Sequence, residues 1–149
     1  MPTLIKNKKV LFNYEILERF EAGIELFGYE VKSIKNKQGS LEGSHITVRG
    51  GEVFLLNVNI PPYQPANTPK TYDSERNRRL LLTKKEIDKL AGFEAKKGLT
   101  IVPISMYTKG NKIKVEIAVA RGKKKFDKRE SIKKKDTRRD IEREVKGKF

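Results

Sequence analysis

From Lys112 to Arg121 the chain alternates as a half-buried strand does, with Ile113, Val115, Ile117 and Val119 on one face and Lys112, Lys114, Glu116 and Arg121 on the other. No other stretch limits the fold so firmly, because a period of two does not suit a helix and leaves one apolar face to be covered. The pattern ends abruptly in Ala120 to Glu130, A-R-G-K-K-K-F-D-K-R-E, where Phe126 and Asp127 sit among lysines and arginines. Beyond this seam Ile132, Ile141, Val145 and Phe149 are the only sizeable apolar residues. They are too few to make a core.

From Arg121 to Phe149 there are fourteen basic and six acidic residues, so this segment carries +8 of the chain's +15. Arg138–Glu142 and Glu142–Lys146 are spaced for helical support, at about 0.2–0.5 kcal/mol each. A lone helix held by so little is marginal in water. The chain therefore divides into a folded domain over residues 1–120 and a basic tail over 121–149. The tail is expected to be disordered alone and at least partly helical against a polyanion.

Upstream, other strands are legible. In Phe20 to Leu26, Phe20, Ala22, Ile24 and Leu26 share one face, while Glu21 and Gly23 face the other way; an outward glycine marks a bulge or a close approach. Residues 1–9 read as loose, and a strand-like pattern starts at Val10. Gly28 to Ile34 has an ambiguous period and fits a short helix ending near Gly39. Ile46 to Ile60 reads as a hairpin turning at Gly50-Gly51, with Phe54, Leu56, Val58 and Ile60 on one side of the return strand. A loop with four prolines follows from Pro61 to Glu75; a loop of this length usually binds something or moves.

Arg76 to Leu82 is a further strand candidate. Thr83 and Glu86 form a capping box for a helix from Lys84 to Ala91, ending at Gly92, with Ile87, Leu90 and Ala91 buried. Ile101 to Tyr107 is a strand interrupted by Pro103, which favours an edge or a bulge, and Gly110-Asn111 turns it into the last strand. The expected fold is mainly β: a small antiparallel barrel of the oligonucleotide-binding type, with two or three short helices and the basic tail.

Composition narrows the function. A pI near 10 directs attention to polyanionic partners. Without cysteine there are no disulfides or thiolate metal sites. No apolar run approaches the roughly 18 residues of a membrane span, and the N-terminus lacks a signal peptide's apolar stretch, so a soluble cytoplasmic protein is expected. His45 is the only histidine. No phosphate-cradling glycine loop, metal-ligand cluster or nucleophile elbow appears, so no enzyme, cofactor or metal is expected.

Three motifs carry a resemblance: F-E-A-G-I-E-L-F-G-Y-E-V-K-S at 20–33, R-R-L-L-L-T-K-K-E-I at 78–87 and K-V-E-I-A-V-A-R-G-K-K-K-F-D-K-R at 114–129. Together they resemble the bacterial SsrA-binding proteins, also called small protein B, in the same order and over nearly the whole chain. The resemblance implies an adaptor of trans-translation. Such a protein binds the tRNA-like domain of transfer-messenger RNA and brings it to stalled ribosomes. It acts in a ternary complex with elongation factor Tu formed through the RNA, and its tail enters the decoding centre and empty message channel of the small subunit. The protein would act as a monomer. Charge and tail alone leave a structural ribosomal protein open as well.

The resemblance places RNA contacts at Glu21, Leu81 and Lys114, and Lys32 and Ser33 match the family's E-V-K-S, which packing explains equally well. On residue chemistry, an outward Glu21 would accept hydrogen bonds from base amino groups or 2′-hydroxyls. Leu81, which pattern alone puts in the core, would offer an unstacked base an apolar platform if it faced out. Lys114 is outward by alternation. In the seam, Gly122 allows close approach, Lys123, Lys124, Lys128 and Arg129 can hold phosphates, and Phe126 beside Asp127 can stack on a base. These seam residues are the expected decoding-centre contacts. Relatives often carry histidine or tyrosine at the Phe126 position, so a polar contact there is lost.

Overall fold

The structure, a computed structural model, describes residues 3–123. Its strands are β1 (Thr3–Lys6), β2 (Tyr14–Ile24), β3 (His45–Arg49), β4 (Glu52–Leu56), β5 (Arg78–Leu81), β6 (Leu99–Lys109) and β7 (Lys112–Gly122). The helices are α1 (Val10–Asn13), α2 (Gly28–Lys35) and α3 (Lys84–Glu94). The strands follow the order β6-β3-β4-β5-β2-β7, and β7 pairs again with β6, which closes the ring; β1 adds to β6 outside it. Every pairing is antiparallel. This is the barrel that the alternation predicts. Among the described residues no helix is long and apolar enough to cross a membrane.

Ala22, Val53, Leu55, Leu80, Met106, Val115, Ile117 and Val119 fill the interior with Ile34 of α2 and Leu90 of α3. A second, smaller cluster joins Val10 of α1 to Val102, Ile104, Ala118 and Ala120, with Tyr14 and Ile16 against it. Here β6 and β7 are covered on both faces. That is why the polar half of the alternation in β7 gives way to alanine at 118 and 120: the outer face still needs to be apolar there, but has little room.

Several expectations need correction. Residues 1–9 are not loose throughout, since β1 pairs Ile5 with Met106 and buries Ile5 in the core. Val10 opens a single helical turn rather than a strand, and its burial in the second cluster holds that turn in place. In the hairpin, β4 buries Val53 and Leu55, whereas Phe54 and Leu56 are half-buried. Val58 and Ile60 are buried too, because Asn57 adopts φ 63°, in the left-handed region, and inverts the phase of the chain. The helix after Thr83 keeps its capping box, with the Glu86 N–H donating to Thr83 Oγ1, but runs through Gly92 to Glu94. Phe93 packs against the core and offsets the roughly 1 kcal/mol that a mid-helix glycine costs. Ala91 is exposed. Pro103 does mark a bulge, where the β6–β7 register shifts before Ser105.

The long loop before β5 is pinned. The Tyr72 hydroxyl, with one proton to donate, lies 2.7 Å from the Ile60 carbonyl oxygen and 2.9 Å from Glu30 Oε2. Arg78, fully buried, donates to Glu30 Oε2 at 2.6 and 3.1 Å and to Ser74 O at 3.0 Å. Arg76 donates to both oxygens of the same carboxylate, through Nε to Oε2 and through Nη2 to Oε1. Burial pushes the Glu30 carboxyl up, but Arg76, the Phe27 N–H and Arg78 outweigh it and hold it below the usual carboxylate range. Burial, with Glu30 beside it, pushes the Tyr72 hydroxyl up to about 12.

Candidate nucleic-acid interface

Gly23 organises the outer surface at the far end of β2. It pairs with Lys114 of β7 on one side and Leu81 of β5 on the other. A side chain at 23 would put its Cβ 3.2 Å from the Leu81 Cβ, so the missing side chain is what lets Leu81 lie against β2. The outward glycine is a close approach, as its place in the alternation suggests. Leu81 is 48% exposed while Leu80 is buried; the alternation along β5 decides which leucine of the run faces out. Leu81 and Lys114 line one hollow together with Ile24, Leu26, Val31 and Ile113.

Glu21 is the next outward residue of β2, opposite Glu116. Tyr107 of β6 donates its hydroxyl proton to Glu21 Oε2, and Lys109 Nζ lies 3.1 Å from Oε1. These bonds, with the charges of Lys109 and Lys114, hold the exposed Glu21 carboxyl below its ordinary value of 4.5. Burial and the same carboxylate push the Tyr107 hydroxyl well above its ordinary range. Lys114 sits opposite Tyr107 across the β6–β7 pair. An acceptor held ionised at neutral pH, two ammonium groups and an apolar platform thus share one face. That set can accept from amino groups or 2′-hydroxyls, hold phosphate and support a base.

Tyr107→Phe is expected to raise the Glu21 pKa back toward 4.5, read from its side-chain carboxyl shift in an NMR titration. The sign follows from the depressed folded value: the ionised acceptor persists above the ordinary pKa and is lost only as pH falls through the lowered one. An unmoved titration in the variant would assign the shift to the lysines alone.

The other expected site residues lie elsewhere. Lys32 is exposed on α2, beside Val31 of the hollow. Ser33 is fully buried and donates to the Pro61 carbonyl at 2.6 Å, so in this structure it fastens α2 to the loop and offers no surface to an RNA. Gly122 ends β7 opposite Tyr14. Lys123 is tied down just beyond, its N–H to Asn13 O at 2.9 Å and its Nζ to Leu11 O at 3.0 Å. Along β2 the Tyr14 end lies roughly 30 Å from Gly23. Lys124, Phe126, Asp127, Lys128 and Arg129 fall outside the described residues.

Two members of the face, Tyr107 and Lys109, escape a reading of the sequence. They occupy alternate positions of β6, as a strand pattern allows, but only the barrel's strand order brings them to Glu21.

The comparisons decide the family. The family profile described as SmpB protein matches residues 4–147. The chain belongs to the SmpB protein family. The SsrA-binding protein of Clostridium acetobutylicum is 50% identical over 145 residues, covering 97% of this chain and 93% of that one. That of Mesoplasma florum is 52% identical over 143 residues, with 96% and 93% covered. A solved chain described as "tmRNA-SmpB: a journey to the center of the bacterial ribosome" superposes with a TM-score of 0.69 at 39% identity. It covers 83% of this chain and 87% of its own length. Family membership sets aside the structural ribosomal protein that charge and tail leave open.

Proposed function

We propose that this SmpB-family chain is the RNA-binding adaptor of trans-translation. Its barrel face around Glu21, Leu81 and Lys114 holds the tRNA-like domain of transfer-messenger RNA. The tail, led by Gly122, Lys123, Lys124, Phe126, Asp127, Lys128 and Arg129, reaches the decoding centre and the empty message channel of the small subunit. Elongation factor Tu joins through the RNA, and the protein acts in the cytoplasm as a monomer, without catalysis of its own. Whole-length membership of a family whose relatives are named SsrA-binding proteins carries this reading. The geometry supports it: the barrel face and the tail root stand at opposite ends of the long β2–β7 ladder. One body with two separated contact ends suits an adaptor that must touch an RNA and a ribosome at once.

The barrel half is tested by titrating transfer-messenger RNA at several salt concentrations. Lys114→Ala is expected to weaken binding and to reduce the salt slope by about one. Glu21→Ala removes an acceptor and is expected to weaken binding with the slope unchanged. Wild-type affinity in both variants would move the interface off this face.

A further inference from the structure

The Leu81 hollow continues past Leu26 into a second one, lined by Phe27, Phe54, Arg76, Asn77 and Arg79. Arg79 and Leu81 are successive outward residues of β5, about 7 Å apart along the strand. Phe27 is 49% exposed at the start of α2. The Arg76 guanidinium lies over its ring, 4.1 Å from the centroid, and is itself locked on the buried Glu30 carboxylate. The Phe27 ring also meets Tyr29 at 5.5 Å, and Tyr29 meets Tyr72 edge-on at 4.9 Å. An exposed aromatic has therefore been fixed in place by groups anchored in the protein's interior.

Electrostatics select the ligand. Three carboxylates, Glu25, Glu30 and Glu52, match three guanidiniums, Arg76, Arg78 and Arg79, in ion pairs around the hollow. Among the described residues, these pairs balance and leave no surplus guanidinium there to capture a phosphate. A rigid Phe–Arg stack at a charge-balanced rim suits the flat, uncharged face of a base, and the exposed Asn77 amide can read its edge.

We propose that this hollow is a second base-stacking subsite, which takes an unpaired nucleotide of the RNA whose neighbouring segment lies at Leu81. The inference rests on the proposed function and extends its RNA footprint along β5 to Phe27. Because the contact is stacking rather than charge pairing, its strength is nearly independent of salt, unlike that of Lys114.

The test uses the full chain and transfer-messenger RNA, titrated at low and moderate salt. Phe27→Leu keeps an apolar side chain and the backbone cap but loses the aromatic face. It is expected to weaken binding about 5- to 150-fold, the range for one lost base stack, with an unchanged salt slope. Phe27→Tyr is expected to bind as the parent does, and matching thermal melts of both variants would show that the fold is intact. Wild-type affinity in Phe27→Leu together with impaired binding by Leu81→Ala overturns the subsite and leaves the proposed function standing. Wild-type affinity in both variants removes the face itself. Normal RNA affinity in Phe27→Leu with reduced tagging on stalled ribosomes also overturns the subsite, since the hollow then meets another component.

Discussion

Replacing Arg78 with methionine is expected to cost about 3–5 kcal/mol of stability, the usual penalty for removing one partner of a buried ion pair. In a thermal melt this is a fall in Tm of about 10–20 °C. The guanidinium is fully buried and joins three segments: Glu30 on α2, Val58 after β4, and Ser74 in the long loop. Methionine fills much of the space but leaves the Glu30 carboxylate with Arg76 as its remaining guanidinium partner. The pH dependence separates charge from packing. Glu30 has a folded pKa below 4.5, so its stabilising contribution is complete above that pH and is lost as pH falls through the lowered value. The Tm gap between parent and variant should therefore be widest near neutrality and narrow as Glu30 becomes protonated. A gap of the same size at neutral and strongly acid pH would mean that Arg78 acts only as filler.

Arg78 also shows where the sequence stops being readable. R-N-R-R at 76–79 reads only as the basic start of a strand candidate, because nothing nearby signals a buried acid; the partner of Arg78 lies 48 residues earlier, in a helix whose period is itself ambiguous. The same distance hides the Tyr107–Glu21 bond, which spans 86 residues. What could be read is local or periodic: the alternation of β7, the Gly50-Gly51 turn, the Thr83–Glu86 box and the bulge at Pro103. Errors arose where a short event breaks a period. Asn57 inverts the phase of the strand it follows, the four residues of β1 are too few to show alternation, and α1 is a single turn held by tertiary contact. On the interface, alternation alone oriented Lys114 and Glu21. Leu81 needed the resemblance, because in a run of three leucines pattern alone puts it in the core, whereas it is exposed.

These two layers, a buried network and an exposed face, are joined through α2. Glu30 accepts from the Phe27 N–H at 2.8 Å and so caps the helix that presents Phe27 and Lys32. Arg76 spans both layers, its charge on Glu30 and its plane on Phe27. A loss at Arg78 should accordingly loosen the proposed RNA face as well as lower Tm. Losses at Leu81 or Phe27 should leave Tm nearly unchanged.

A chain ending at Lys123 is expected to fold, to bind transfer-messenger RNA and to fail in tagging. The barrel is complete at that point: β7 closes on Tyr14 at Gly122, and the Lys123 N–H is fastened to Asn13. The residues removed hold twelve cations and six acids, so the truncated chain keeps +9 of the original +15. It retains Glu21, Leu81 and Lys114 together. RNA affinity should fall modestly and with a flatter salt slope, since part of the cationic attraction is gone. Tagging of a nascent chain on a message without a stop codon should fall to background, because nothing is left to enter the decoding centre. Within the full chain, Phe126→Ala asks how much of this loss is stacking: about 1–3 kcal/mol goes with one base–aromatic contact, enough to slow tagging without abolishing it. Normal tagging by the truncated chain would place the ribosome contact on the barrel itself and leave the basic tail without its proposed task.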